Sequence, residues 1–338
     1  MIVVMKPGCT DAQVEHVAVL LRELGLKDHV IVGTDRTVVA AIGDKREVDL
    51  SAIENAPMVD RLVPILAPYK VVSREVKRDR SVIPLGSSGH IGGTKIGIIA
   101  GPCSVENEKQ LMSCAQSVAK AGAIGLRGGA FKPRTNPYSF QGLGEAGLKL
   151  LAKARDETGL AVVTEVMSTD QVDMVAEYAD VLQVGTRNMH NFNLLQRVGR
   201  TDRTILLKRG WSATLSEFLL AAEYIMAEGN HNVILCERGI RTHEEYVRNT
   251  LPLAIVPAIR RDSHLPIIVD PSQGTGHAYM VPDMCRAAIA AGADGLLIEV
   301  HPDPEHAMTD GAQSITPEVF RETMGSLLKI AAAVDRTL

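Results

Sequence analysis

The sequence predicts an α/β chain in two parts, a (β/α)8 TIM barrel preceded by a small βαββαβ domain, on three observations. Eight short β-branched runs recur from Lys95 onward, each ending in polar or glycine-rich residues and followed by a helical stretch. Two of the helix-to-strand joints are nearly the same sequence, AGAIGLRGG at 121–129 and AGADGLLIEV at 291–300. The first 67 residues follow a different order and read as a unit of their own. A chain of 338 residues has length enough for one large domain and one small one.

In the first unit the apolar run Ile2–Met5 ends at the turn signal Lys6-Pro7-Gly8. Thr10 and Gln13 have capping-box spacing, and Val14, Val17, Leu20, Leu21 and Leu24 recur at helical intervals before Gly25. Strands are expected at His29–Val32 and Thr37–Ile42, a short helix near Leu50–Asn55, and a last strand over Val59–Leu66. That β-α-β-β-α-β order is the split βαβ sandwich called ferredoxin-like. Its polar residues show no catalytic clustering.

Residues 68–95 read as a connector. Ser73–Arg80 is charge-rich, as a solvated linker would be, and Ser81–Gly86 with Thr94–Ile99 is expected to form a hairpin closing one end of the barrel. Residues 96–338 then form that barrel. Its strands are expected at Gly97–Ala100, Ile124–Arg127, Val162–Glu165 and Val181–Val184, then Thr204–Lys208, Val233–Cys236, Ile267–Asp270 and Leu296–Val300. A doubly wound open sheet would want a phosphate fingerprint after its first strand. The turn there is Gly101-Pro102-Cys103-Ser104, not GxGxxG, which favours the barrel.

Composition excludes several classes. The chain is 46% hydrophobic with a formal charge of −4, which gives no global attraction for nucleic acid. Five cysteines without CxxC spacing argue for reduced thiols and a cytoplasmic location. The opening MIVVMKPG is too short an apolar run for a signal peptide, and no ~18-residue apolar segment exists for a membrane span.

In a barrel of this kind the C-terminal strand ends carry the site. Here they hold Cys103, then Arg127 with Lys132 and Arg134, Glu165, Arg187, Lys208-Arg209, Glu237-Arg238, Asp270, and Glu299 with His301. Six cations, Arg127, Lys132, Arg134, Arg187, Lys208 and Arg238, would repel at one confined mouth unless an anionic ligand met them. One or two phosphates suit that demand. The alternative is structural ion pairing with Glu165, Glu237 and Asp270. Cys103, Glu299 and Asp310 form a second constellation, a thiolate with carboxylates, which suits a divalent transition metal.

The motifs GPCSVE at 101–106, LRGGAFKPRTNPYSFQGLGE at 126–145, LLKRG at 206–210, CERGIRT at 236–242 and EVHPDPEHAMTDGAQS at 299–314 resemble those of 3-deoxy-D-arabino-heptulosonate-7-phosphate (DAHP) synthase. The likeness is to the type Iβ subgroup with an N-terminal ferredoxin-like regulatory domain, and it spans nearly the whole chain. It implies condensation of phosphoenolpyruvate with erythrose 4-phosphate, the entry to the shikimate pathway. Arg127, Lys132, Arg187, Lys208 and Arg238 would hold phosphoenolpyruvate, with Gly185 and Thr186 nearby. Lys132, Pro133, Arg134 and Thr135 would hold the sugar phosphate, and Asp270 a sugar hydroxyl. Lys132, Asp270 and Cys103 are the residues expected in catalysis. Cys103, Glu299 and Asp310 would ligate a divalent metal ion, Mn or one of Co, Zn, Fe and Mg. The subgroup's habits imply a homotetramer and feedback inhibition by an aromatic amino acid, tyrosine or phenylalanine, at residues 1–67.

One position departs from the resemblance. The family pattern after the seventh strand is Asp-Pro-Ser-His, the histidine being the fourth metal ligand, and this chain reads Asp270-Pro271-Ser272-Gln273. A glutamine amide is a harder, neutral donor that binds late first-row ions less well than imidazole. Gln273 as a weak ligand, substitution by His277 or His301, and a catalytically impaired phosphate-ligand sensor all remain open from sequence. A sister synthase using another aldose phosphate is a further alternative.

Overall fold

In Ile2–Met5 (β1) all four residues are buried, because successive strand side chains point to opposite faces and both faces are covered. The computed structural model describes residues 1–33, 36–43, 48–63, 68–133 and 136–338. They divide into two compact units, Met1–Arg80 with Arg261–His264, and Ser81–Arg260 with Leu265–Leu338.

The first unit is an antiparallel sheet of β1, Lys27–Val32 (β2), Thr37–Ile42 (β3) and Val59–Val63 (β4) in the order β2-β3-β1-β4. Helices Asp11–Glu23 and Ser51–Glu54 complete the βαββαβ order. The N–H of Thr10 donates to Gln13 Oε1 at 2.9 Å, the capping contact that the spacing predicts. Val3 and Met5 pack with Val14, Val17 and Leu21 of the long helix, while Ile2 and Val4 face the other way and meet Val76. The last strand, expected to reach Leu66, is described to Val63, and 64–67 lie outside the described residues.

Ser73–Arg80 is not a solvated linker. Ser73 and Val76 are buried, and Ser73 bridges to Ser263, while Glu75, Arg78 and Asp79 face outward. The hairpin also differs from expectation. It joins Ile83–Leu85 (β5) to Gly89–Ile91 (β6), so its second strand comes from within the glycine-rich SSGHIGG segment rather than from Thr94–Ile99. Gly86 and Gly89 adopt positive φ, which lets that segment turn back so soon.

Eight parallel strands close the barrel of the second unit: Gly97–Gly101 (β7), Gly125–Arg127 (β8), Ala161–Val166 (β9), Val181–Val184 (β10), Thr204–Lys208 (β11), Val233–Glu237 (β12), Ile267–Val269 (β13) and Gly295–Glu299 (β14). Each lies within a few residues of its expected place. Closure is complete because β14 pairs with β7 in register, Glu299 opposite Gly101. The interior is packed rather than hollow, with Ile99, Val163, Val181, Leu206, Ile268 and Leu297 among its buried side chains. Ile83, Leu85 and Ile91 of the hairpin join that same cluster, and Thr204 Oγ1, at the start of β11, donates to Pro84 O at 2.7 Å. The hairpin therefore plugs the N-terminal end of the barrel. Gly97 makes this possible, since a Cβ there would overlap Ile91. All five cysteines are free thiols. Among the described residues no helix is long and apolar enough to cross a membrane.

Candidate active site

Two-residue alternation builds the site. On the barrel strands an interior apolar residue is followed, two positions on, by a polar one at the C-terminal end: Val163 by Glu165, Val181 by Gln183, Leu206 by Lys208. Cys236, Ile268 and Leu297 lead likewise to Arg238, Asp270 and Glu299. Arg127 follows Gly125, where a Cβ would press on Ile99. The neighbours of opposite parity, Arg209 and Glu237, pair with each other at 2.8 Å and do not line the cavity.

That cavity holds about 330 Å³, a small-ligand volume. Arg127, Lys132, Arg187, Lys208 and Arg238 all line it, as do Pro133, Gly185 and Thr186. Arg134 and Thr135 lie outside the described residues. Gly185 leaves room for the Glu165 carboxylate, which a Cβ there would displace.

The cations divide by partner. Arg127 lies 3.0 Å from Glu299 and 3.6 Å from Asp270, and Lys208 meets Asp270 at 2.5 Å. Burial opposes the Arg127 charge, yet Glu299 and Asp270 outweigh it and hold its pKa above the ordinary value. Arg187 and Arg238 make no ion pair with a described carboxylate. Burial accordingly lowers the Arg238 pKa, the signature of a buried cation short of negative charge. Glu165, one candidate for structural pairing, accepts instead from Gln183 Nε2 at 3.1 Å.

Cys103, Glu299 and Asp310 come together, their ligand atoms all within 4.8 Å of one another. Burial, then the charge of Glu299, pushes the Cys103 thiol up to about 12. It donates to Asp310 Oδ2 at 2.9 Å, while Lys132 Nζ lies 2.9 Å from the sulfur. A buried sulfur with two carboxylates fits a divalent transition ion, and three protein donors leave coordination positions open for substrate. Gln273 stands differently. Its Nε2 donates to Glu299 Oε1 at 3.0 Å and its Oε1 accepts from Arg238 at 3.3 Å, so it offers the cluster an N–H rather than a lone pair. Neither histidine takes its place. His277 packs on Tyr279, and His301 lies 3.3 Å from Glu106 with its Nδ1 accepting from the Asp303 N–H.

Asp270 is fully buried and caps the short helix Pro271–Thr275 through the Gln273 N–H at 2.9 Å. Its carboxylate faces Lys208 rather than the cavity. Sequence reasoning passed over Gln183, Trp211, Arg248 and Gln313. The alternation along β10 marks Gln183. Trp211 and Arg248 sit in loops, where no period points to them. Arg248 reaches Asp310 at 3.2 Å and Gln313 at 2.8 Å, and Gln313 donates to Glu299 at 2.8 Å.

Comparison with known proteins agrees with this architecture. Residues 81–334 match the model of the DAHP synthetase I family, and residues 1–67 that of the DAHP synthase ferredoxin-like domain. The chain is 50% identical over 334 residues to phospho-2-dehydro-3-deoxyheptonate aldolase of Thermotoga maritima, covering 99% of this chain and 98% of that protein. It is 34% identical over 268 residues to 2-dehydro-3-deoxyphosphooctonate aldolase of Koribacter versatilis, 72% of this chain and 94% of that one. A crystal structure of the Thermotoga maritima DAHP synthase superposes with a TM-score of 0.79 at 49% identity, covering 99% of this chain and 98% of that one. With both family models matched and a relative half identical from end to end, the chain belongs to the DAHP synthetase I family.

Proposed function

We propose that the chain condenses phosphoenolpyruvate with erythrose 4-phosphate to give DAHP and inorganic phosphate. The observation that carries this reading is the convergence of five cations on one cavity beside a thiol and two carboxylates spaced for a metal. Arg127, Lys132, Arg187, Lys208 and Arg238 bind the phosphate and carboxylate of phosphoenolpyruvate, and Pro133, Arg134 and Thr135 the sugar phosphate. Holding two polyanions side by side offsets their repulsion and orients the enol carbon toward the aldehyde.

A divalent ion on Cys103, Glu299 and Asp310 would supply Lewis acidity toward the aldehyde. The enol π pair forms the new C–C bond, and the aldehyde oxygen takes a proton. Lys132 lines the cavity and can give it: burial opposes its charge, but Cys103, Glu165 and Glu299 hold its pKa above the usual value, so it enters the step protonated. Water then adds to the cationic former enol carbon, and phosphate leaves with the C–O bond electrons to give the ketone. A small cavity of about 20 Å³ lined by Cys103, Arg127, Lys132, Glu165 and Gln183 has room for one water, whose proton Glu165 can accept. Asp270 anchors Lys208; its expected contact with a sugar hydroxyl would need Lys208 to release the carboxylate.

Residues 1–67 form the regulatory part in this reading. They bind tyrosine or phenylalanine within a homotetramer, and the protein works in the cytoplasm. Support comes from the match to the ferredoxin-like domain and from the absence of clustered chemistry among the described residues there.

Phosphate release and heptulosonate formation with Mn²⁺, before and after chelation, test the activity; no product with any divalent ion tested overturns it. The Gln273 amide favours a second reading, a silent phosphate sensor. Calorimetry would then show phosphoenolpyruvate binding without turnover, and Gln273→His would create activity. An unchanged rate in that variant excludes the sensor.

A further inference from the structure

Arg187 lines the cavity from a 3-10 turn, Thr186–Asn188, that comes after β10. Among the described residues no carboxylate pairs with it. Its guanidinium carbon lies 5.3 Å from the centroid of the Trp211 ring, and that of Arg241 lies 5.3 Å from the same ring. Trp211 lines the cavity as well.

The turn that carries Trp211 is fixed from several sides. Arg209 donates to Ala213 O at 2.9 and 2.7 Å while its other nitrogen holds the buried Glu237. The Gly210 N–H donates to the buried Met189 Sδ at 3.0 Å, which ties this turn to the one bearing Arg187. The Arg241 N–H donates to Trp211 O at 2.8 Å. The backbone that presents the indole is thereby held in place.

The difference between an aromatic and a carboxylate partner matters here. A carboxylate would orient Arg187 but also neutralise it and compete with an arriving anion for the same N–H groups. An aromatic face attracts a guanidinium through its quadrupole, adds no net charge and accepts no in-plane hydrogen bond. The guanidinium edge stays free for an anion.

We propose that Trp211 is a positioning residue for substrate anions, holding Arg187 at the cavity with its charge and donors unspent, and Arg241 beside it as added positive field. This rests on the phosphoenolpyruvate site proposed above.

Trp211 is the sole tryptophan of the chain, so tryptophan emission reports on this one ring and its surroundings. Titration with phosphoenolpyruvate should change that emission saturably, and Arg187→Gln should abolish the change. Trp211→Leu should raise KM for phosphoenolpyruvate roughly two- to fivefold, with the effect on KM rather than kcat and KM for the sugar phosphate unmoved. Trp211→Phe, which keeps an aromatic face, should restore most of that loss. Equal KM values in the Leu and Phe variants, or silent emission while calorimetry registers bound phosphoenolpyruvate, would overturn the inference and leave the function standing. Wild-type protein that binds no phosphoenolpyruvate in calorimetry would overturn both. If the Leu variant does not fold, the emission of wild type against Arg187→Gln decides alone, each read at phosphoenolpyruvate saturation fixed by calorimetry: an equal change in both overturns the inference.

Discussion

The side-chain amide of Gln273 donates to Glu299 Oε1 at 3.0 Å, and the same amide's carbonyl is occupied by Arg238. Both ends have the partner their polarity requires: a carboxylate takes the donor, a guanidinium the acceptor. For the carbonyl to meet a metal ion the amide has to turn over and give up both. Gln273→His removes that competition and adds an imidazole lone pair, so affinity for Mn²⁺ or Co²⁺ should rise by about an order of magnitude or more. Equilibrium dialysis measures it directly, and equal affinities in the two proteins would show that position 273 does not govern metal binding.

Arg127 is wedged between two fully buried carboxylates, Glu299 and Asp270. Arg127→Met would leave Glu299 without its cation and Asp270 with Lys208 alone, at a cost of about 3–5 kcal/mol. The variant should unfold at markedly lower urea and show no phosphoenolpyruvate binding in calorimetry. A midpoint equal to wild type would mean that other groups carry the compensation.

Asp270 sets an acid limit. Burial raises its pKa, but Lys208 and Arg127, with the Gln273 N–H, outweigh burial and hold it below the usual 3.8. A carboxyl depressed in the folded state adds stability that is fully present above its unfolded pKa and is lost as pH falls through the folded value. The stability difference between wild type and Asp270→Asn should therefore stay constant from neutral pH down to about 5 and shrink below about 4. Urea midpoints across that range check it; a loss beginning near pH 6 would contradict the depressed value.

Burial pushes the thiols of Cys103, Cys114 and Cys236 up to about 12, and that of Cys285 higher, while Cys9 is half-buried. An aromatic disulfide reagent at mildly alkaline pH should react fast with one thiol in the native protein and with all five after denaturation. Metal binding at Cys103 must also expel its proton, so calorimetry in buffers of different ionisation enthalpy should register proton release. A fast second thiol would show that the Cys103 pocket opens.

Deleting residues 1–67 should leave turnover and abolish inhibition by tyrosine or phenylalanine. Steady-state rates with and without the amino acid decide the matter. Inhibition that survives the deletion would place the effector elsewhere.

Strand periodicity made most of the architecture legible. Runs such as Thr204–Lys208 announce both the strand and the inward face of its last residue, so parity alone separates Lys208 in the cavity from Arg209 behind it. The hairpin's second strand is only three residues long and lies in a glycine-rich stretch with no alternation to read, so periodicity points past it to Thr94–Ile99. Ser73 and Val76 are hidden inside a charge-rich run for a similar reason, since burial there depends on distant partners, Ser263 for one and Ile2 with Val4 for the other. The orientation of the Gln273 amide was out of reach. Composition names the residue, but only Arg238 and Glu299 together fix which end points where.

The plug of Ile83, Leu85 and Ile91 makes the barrel a blind-ended vessel. Reactants and products share one doorway, so the vessel must empty before it can fill again. Any segment that settles over that doorway to keep out bulk solvent would also slow departure, and shelter for the reaction would be traded against the pace of repeated cycles.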